Sequence, residues 1–118
     1  MKNDKLNEIF QMQRELDDFI KSGRDLNYSL SEWLQRKAIA LNVEMAEVMD
    51  EVNYKWWKNN AEIDKQKVKE ELVDVFHFFV SMCLDVGMTG DELHKLYIEK
   101  NEKNVSRQRG KFGKDYAQ

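Results

Sequence analysis

The segment from about Asp64 to Val86 constrains the fold of this chain more than any other part of the sequence. From Leu72 onward it is apolar at almost every position, which on a helix produces an apolar surface on all sides. Such a helix has to be covered by other elements. Pro is absent and Gly occurs only 5 times in 118 residues, so little in the composition interrupts helices. The sequence therefore predicts an all-α fold in a single domain spanning residues 1–118.

Apolar residues at helical spacing, together with N-terminal capping residues, predict four helices. Two capping boxes, Ser29-x-x-Glu32 and Thr89-x-x-Glu92, mark the starts of the second and fourth helices. The expected helices run from about Asp4 to Lys21, from Ser29 to about Lys58, from Asp64 to about Val86, and from Thr89 to about Asn104. Residues 105–118 are rich in Arg, Lys and Gly and are predicted to form a flexible basic tail. Because four helices offer too little material to cover the apolar third one, we expect a four-helix bundle that is completed by oligomerisation.

Composition and charge exclude several classes of protein. The net charge is only −3 although 35% of the residues are charged, so the whole chain lacks the basic footprint of a nucleic-acid-binding protein. The longest apolar stretch, about ten residues, is shorter than the ~20 that a membrane span requires, and no secretion signal is recognisable. Cys83 is the only cysteine, which favours a buried packing thiol and a reducing environment. We expect a cytoplasmic protein with no nucleic-acid and no membrane partner.

Two pairs of acids stand out in these helices: Glu44-Met45-Ala46-Glu47 in the second and Glu71-Leu72-Val73-Asp74 in the third. Acids three residues apart lie on one face of a helix. Both pairs have apolar neighbours, where carboxylates are costly unless something neutralises them. If the two helices pack antiparallel, the four side chains meet, and such oxygen ligands suit a hard divalent cation. The pattern favours a Mg²⁺ site formed by Glu44, Glu47, Glu71 and Asp74.

Other interpretations of these acids remain open. They could form a solvated stripe paired with nearby lysines, since Glu is a common helix former. The pairs Asp74/His77 and Asp91/His94 loosely resemble the Glu-x-x-His pairs of di-iron bundles. However, Asp91 lies in the first turn of its helix, where the helix dipole favours an acid. We expect His77 to be a hydrogen-bonded neighbour and not a metal ligand.

Basic side chains at two places are candidates for holding phosphate groups. The run Tyr54–Lys58 places Lys55 and Lys58 about two helical turns beyond the first acids. Alternatively, the tryptophans of this run pack against the core at a helix end. The C-terminal segment carries six basic residues, Lys100, Lys103, Arg107, Arg109, Lys111 and Lys114, and Arg binds phosphate oxygens in a bidentate manner. A solvated tail and a nucleic-acid-binding tail are the alternatives.

Taken together, these motifs resemble the all-α nucleoside triphosphate pyrophosphohydrolases, the MazG-like superfamily, and within it the dimeric dUTPase family. The superfamily is marked by E-x-x-E, a spacer and E-x-x-D, as in the two acid pairs. The dUTPase branch is similar at Trp33 and Arg36, in its aromatic-Lys-x-Trp-Lys run, and in a stretch like Val75–Phe78. Its late motif Y-x-x-K-N-x-x-N-x-x-R-Q reads here as Tyr97, Lys100, Asn101, Asn104, Arg107 and Gln108. The resemblance covers most of the chain from Gln13 onward.

The resemblance implies a role for each of these positions. The four acids would bind Mg²⁺, and Glu47 would activate the attacking water. Gln13 and Trp33 would contact the base. Lys100, Asn104 and Arg107 would contact phosphate oxygens, in addition to Lys55 and Lys58, which are candidates from their position alone.

The reaction implied by the resemblance is Mg²⁺-dependent hydrolysis of dUTP to dUMP and pyrophosphate, carried out by a homodimer or homotetramer. The chain departs from the family at Leu16-Asp17, where Leu-Asn is usual, so base specificity stays open. A broader pyrophosphatase acting on dCTP or on modified nucleotides is one alternative. A non-catalytic helical oligomerisation module is another.

Overall fold

Four helices make up the described part of the fold. The computed structural model describes residues 4–112, and within this range it contains no strand. The helices are α1 (Lys5–Arg24), α2 (Leu30–Glu51), α3 (Lys65–Asp85) and α4 (Gly90–Phe112). The all-α class predicted from the sequence is confirmed.

Local capping contacts explain where the helices begin and where α3 ends. Asp4, Ser29, Asp64 and Thr89 each accept a hydrogen bond from the backbone N–H three residues later, at 2.8–3.2 Å. These contacts satisfy donors that the start of a helix leaves unpaired. Beyond α3, Gly87 takes a positive φ of 79°, which glycine adopts without strain. The caps predicted from the sequence are confirmed.

The prediction that the second helix continues to Lys58 is wrong, because α2 ends at Glu51. Asn53 adopts a left-handed conformation with φ of 60°, and its side chain pairs with the backbone of Ala61. Its amide nitrogen donates to the Ala61 carbonyl at 2.8 Å, and the Ala61 N–H donates to its amide oxygen at 3.2 Å. Asn tolerates this conformation better than most residues. The pairing stops the helix, so residues 52–64 form a connecting loop.

The prediction of a flexible tail from Val105 is also wrong over its first part. Helix α4 continues to Phe112, and residues 113–118 lie outside the described range. Arg and Gln in this stretch are good helix formers, and nothing before Gly110 interrupts them. Acid and base four residues apart, as in Glu99 and Lys103, also favour a helix.

Antiparallel packing of α2 on α3 forms the centre of the molecule. The end of α2 meets the start of α3, where Lys67 Nζ lies 3.2 Å from Glu51 Oε2. At the other end, Lys37 near the start of α2 pairs with Asp85 at the end of α3. Helix α1 packs against α3 and α4, and its backbone makes no close approach to α2 within residues 4–112. This leaves room between α1 and α2 for a cavity.

Few side chains are fully enclosed by this arrangement. The buried apolar cluster consists of Phe10, Val80 and Cys83, with Leu6, Leu84, Met88 and Leu93 packed around it. Burial raises the pKa of the Cys83 thiol, as expected for a packing residue. By contrast, the other sides of α3 stay largely uncovered, and Val73 is 54% exposed. The expectation that one chain cannot cover its third helix agrees with this exposure.

Helix α4 turns away from α3 at an angle of 105°, and among the described helices its backbone closely approaches only that of α1. In the described range no single helix is long and apolar enough to cross a membrane. Among the described helices, only α3 and α4 taken together have the length and apolar composition of a membrane span, and they are separated by a sharp bend.

Gly90→Ala is expected to lower the free energy of unfolding by about 1 kcal/mol, because the contact between α1 and α4 is tight at this point. A Cβ on Gly90 would overlap Asn7 Oδ1, so the Asn7 side chain has to turn away. That side chain donates to Asp91 Oδ1 at 3.0 Å and would lose this bond. Urea unfolding measures the change. Gly23→Ala is the matched control: nothing lies within 4 Å of its added Cβ, and it should stabilise α1. Equal effects of the two substitutions would contradict the close approach.

Candidate functional site

A cluster of carboxylates lies where the end of α2 meets the start of α3. Glu44, Glu47 and Glu71 each bring one carboxylate oxygen within 4.8 Å of the others. Helical spacing aligns Glu44 with Glu47 on α2, and antiparallel packing brings Glu71 of α3 opposite them. Asp74, one turn further along α3, lies beside this group, and its charge acts on both Glu44 and Glu71. The four acids singled out in the sequence therefore lie close together.

The acids of this cluster destabilise one another. Partial burial is the main reason that the pKa of Glu44 is raised, and the charge of Glu47 adds to it. Burial likewise raises the pKa of Glu71, followed by the charges of Glu47 and Asp74. Both shifts show that the anionic forms are disfavoured by their surroundings.

Nothing in the described part of the chain relieves this repulsion directly. Glu71 Oε2 is buried and accepts no hydrogen bond from the residues whose side chains are described, 4–110. The neighbouring Lys67 forms an ion pair with Glu51, and its effect on the pKa of Glu71 is the smallest of the contributions. A buried carboxylate oxygen without a donor, beside further carboxylates, fits a hard divalent cation.

A cavity of about 570 Å³ adjoins the acid cluster. Glu44 and Asp74 belong to its wall. Its other lining residues come from α1, α2 and α3: Gln13, Leu16, Asp17, Ile20, Lys21, Trp33, Arg36, Lys37, Ala40, His77, Phe78 and Ser81. This volume is typical of a small-molecule site. Gln13 and Trp33, the two candidates for contacting a base, both line it.

A chain of hydrogen bonds joins α1 to α3 along one wall of the cavity. Ser81 Oγ donates to Asp17 Oδ2 at 2.7 Å, and Gln13 Nε2 donates to Asp17 Oδ1 at 2.9 Å. Gln13 Oε1 lies 2.8 Å from Nδ1 of His77. Gln13 is only 7% exposed, so these contacts hold its amide in place. His77 is a hydrogen-bonded neighbour of the site, as expected from the sequence.

Lys37 supplies a buried positive charge to the same cavity. Its Nζ donates to Asp85 Oδ1 at 2.9 Å, lies 2.8 Å from Asp85 Oδ2, and lies 4.0 Å from Asp17 Oδ2. The ammonium group also stands 4.9 Å from the centre of the Trp33 ring, and Lys21 stands at the same distance. Cations at this distance from an aromatic ring are attracted to it. Lys37 thus lies between Trp33 and Asp17 and interacts with both.

The predicted phosphate-binding residues lie away from this cavity in the single chain. Lys55 and Lys58 belong to the loop after α2, where they surround a shallow depression with Asp50, Asn53, Tyr54 and Asn59. In the same loop, Trp56 is 84% exposed and Trp57 packs edge-on against it. The alternative that these tryptophans pack into the core is therefore wrong.

Lys100, Asn104 and Arg107 are exposed on α4, which does not contact α2. Arg107 shares a surface depression with Glu99, Glu102, Lys103 and Ser106. One chain thus gathers the acids and the base-contacting candidates but not these basic residues.

Among the polar residues that were not singled out from the sequence as functional, Lys37 and Ser81 belong to the cavity wall, and Asp85 pairs with Lys37. Asp17 was noted only as a departure from the family pattern. The spacing in the sequence could have indicated two of these positions, because Asp17 follows Gln13 by four residues and Ser81 follows His77 by four. Each pair therefore lies on one helix face. Their pairing across 64 residues is a feature of the packing alone.

Comparison with known proteins adds independent findings. A family model described as dUTPase matches residues 5–89. A dCTP pyrophosphatase of Enterobacteria phage LZ5 is 32% identical over 104 residues, which is 86% of this chain and 60% of that protein. A dCTP pyrophosphatase of Enterobacteria phage T4 is 47% identical over 45 residues, or 38% of this chain and 26% of that protein. The chain thus spans less than two thirds of the length of either relative. No solved structure gives a significant match.

Proposed function

Because the chain belongs to the dUTPase family, we propose that it is a metal-dependent hydrolase that converts a pyrimidine deoxynucleoside triphosphate to the monophosphate and pyrophosphate. The observation that carries this proposal is the buried, unpartnered Glu71 Oε2 within a carboxylate cluster beside a cavity of about 570 Å³. A purely structural helix bundle has no reason to keep Glu44 and Glu71 partly buried beside two further acids.

Mg²⁺ fits the donor set, which consists of carboxylate oxygens only. Glu44, Glu47, Glu71 and Asp74 are the residues that would hold it. When bound, the cation neutralises negative charge that develops on the phosphate oxygens and lowers the pKa of water. Such a charge would favour the anionic forms of Glu44 and Glu71, whose pKa values are raised by burial first and by the neighbouring acids second.

Glu47 is our candidate for the general base. It is the exposed member of the three-acid group, so solvent reaches its carboxylate. In the proposed reaction, water attacks a phosphorus atom, its proton passes to Glu47, and the bond between the α-phosphate and the pyrophosphate group breaks. Gln13 and Trp33, which line the cavity, hold the base and so place the triphosphate toward the acids.

Self-association is proposed to complete the site. The exposed apolar side of α3 and the distance of the basic residues from the cavity both support an arrangement of two or more copies. In such an assembly, Lys100, Asn104 and Arg107, with Lys55 and Lys58 of the loop, would contact phosphate oxygens.

The family description favours dUTP as substrate, while the names of the two phage relatives favour dCTP. Both are pyrimidine nucleotides. The test is release of pyrophosphate from dUTP, dCTP, dTTP and dATP, with Mg²⁺ and with excess chelator. We expect at least about tenfold faster release from one pyrimidine nucleotide than from dATP, and none with chelator. Absence of pyrophosphate with all four nucleotides, or release unaffected by chelator, would refute the proposal.

A further inference from the structure

The hydrogen bonds in the cavity wall have a fixed direction. An ionised carboxylate only accepts, so Asp17 requires the Gln13 amide to present its nitrogen, as the 2.9 Å contact shows. The amide oxygen of Gln13 then has to face His77, which lies 2.8 Å away. Since an amide oxygen only accepts, the proton of neutral His77 is on Nδ1. Asp17 thereby sets the orientation of Gln13 and, through it, the tautomer of His77.

Asp17 itself is held from two sides. The Ser81 hydroxyl donates to its Oδ2 at 2.7 Å, and Lys37 Nζ lies 4.0 Å from the same oxygen. If the Gln13 amide turned over, its oxygen would face the carboxylate at hydrogen-bond distance with no proton between them. Such an acceptor–acceptor contact in a largely buried position is costly. The amide is therefore locked in one orientation.

We propose that Asp17 is the specificity-determining residue of the cavity and that the orientation it imposes on Gln13 selects cytosine over uracil. This inference rests on the proposed function, because it takes the cavity as the site of a pyrimidine nucleotide. The inference assigns the choice of base to Asp17, which stands where the dimeric dUTPase family usually has Asn.

The hydrogen-bonding edges of the two bases are opposites. Cytosine offers a ring nitrogen acceptor and an exocyclic amine donor, whereas uracil offers a ring N–H donor and a carbonyl acceptor. The second N–H of Gln13 Nε2 has no partner among residues 4–110, whose side chains are described, and a carboxylate has lone pairs beyond the two that Asp17 uses. The wall therefore presents a donor beside an acceptor. We place the ring nitrogen of the base on Gln13 and its exocyclic group on Asp17, where cytosine makes both hydrogen bonds. In that same placement, uracil would set its carbonyl against Asp17 and its N–H against the amide N–H.

The ratio of kcat/KM for dCTP to that for dUTP is the primary test. We expect the unmodified chain to favour dCTP by at least about tenfold, because uracil leaves two polar groups mispaired. Asp17→Asn offers Gln13 either a donor or an acceptor and frees its amide to turn. This variant should lower the ratio by about tenfold or more. Asp18→Asn removes the same charge from the exposed neighbouring position of α1 and should leave the ratio within about twofold.

A second measurement tests the fixed orientation of the Gln13 amide without requiring catalysis. Nitrogen chemical shifts of His77 identify the ring nitrogen that carries the proton, and we expect Nδ1 in the unmodified chain and a mixture of tautomers in Asp17→Asn. Binding of dCMP and dUMP, measured by calorimetry, gives the base preference even if no nucleotide is hydrolysed.

The outcomes separate the two proposals. Hydrolysis with a preference for dUTP, or an unchanged ratio in Asp17→Asn, overturns the role of Asp17 while the proposed function stands. Absence of hydrolysis with tighter binding of dCMP than of dUMP refutes the proposed function and supports base selection by Asp17. Equal binding of the two monophosphates overturns it.

Discussion

Glu71→Gln is expected to stabilise the metal-free protein and at the same time to lower Mg²⁺-dependent pyrophosphate release by at least about 100-fold. The two effects have opposite signs for one reason. Glu71 sits among like charges with a buried oxygen that has no donor, so a neutral amide of the same shape removes repulsion. The same change removes a ligand from the proposed cation site. Thermal unfolding in chelator and a pyrophosphate assay measure the two effects separately.

Glu70→Gln is the matched control, since it makes the same change at the adjacent position of α3. Glu70 is exposed and accepts only from Gln66, at 3.2 Å. We expect this variant to keep the activity within about twofold and the thermal midpoint nearly unchanged. Addition of Mg²⁺ should raise the midpoint of the unmodified chain and of Glu70→Gln, but not that of Glu71→Gln. If Glu71→Gln destabilised the metal-free protein, the account of repulsion in the cluster would be wrong.

The same cluster gives stability a definite dependence on pH. A carboxyl group whose pKa is raised on folding contributes stability that is fully present below its ordinary value of 4.5 and is lost as pH rises through the raised value. The metal-free protein should therefore lose this contribution of Glu44 and Glu71 as pH rises above about 4.5. Glu71→Gln should reduce the loss. Added Mg²⁺ should oppose it most strongly near neutral pH, where protons no longer compete for the carboxylates.

Lys37→Met is expected to lower the free energy of unfolding by about 3–5 kcal/mol. Lys37 is only 8% exposed and pairs with the equally buried Asp85 at 2.8 Å. Removal of the ammonium group leaves that carboxylate, and the nearby Asp17, without a compensating charge. Breaking one half of a buried ion pair costs more than the pair contributes. Urea unfolding provides the measurement.

A second substitution separates loss of charge from loss of packing. The double variant Lys37→Met with Asp85→Leu removes both charges and should recover most of the lost stability, because an apolar pair avoids the desolvation cost. Lys69→Met, at an exposed position of α3, serves as the control and should change stability by no more than about 0.5 kcal/mol. A loss of less than about 1 kcal/mol in Lys37→Met would show that the pair is not effectively buried.

The two errors in predicting helix ends have different origins. The spacing of apolar residues continued beyond Glu51, but the side chain of Asn53 pairs with Ala61, eight residues away, and stops α2. This contact cannot be seen in local periodicity. Conversely, the basic and Gly-containing stretch after Asn104 was assigned to a tail, although its Arg and Gln residues propagate α4. Composition alone did not distinguish a charged helix from an irregular segment.

The sequence by itself determined the helices, their caps and the alignment of the acids on each helix, because these features depend on contacts within about four residues. Only the tertiary structure decided which helix faces meet. Antiparallel packing of α2 on α3 brings Glu71 to Glu44 and joins Lys37 to Asp85 across 48 residues, and the packing of α1 on α3 joins Gln13 to His77 across 64. A residue such as Asp17 has the same local surroundings whether it is solvated or buried. The role proposed for it follows from the partners that packing supplies, and no periodicity encodes those partners.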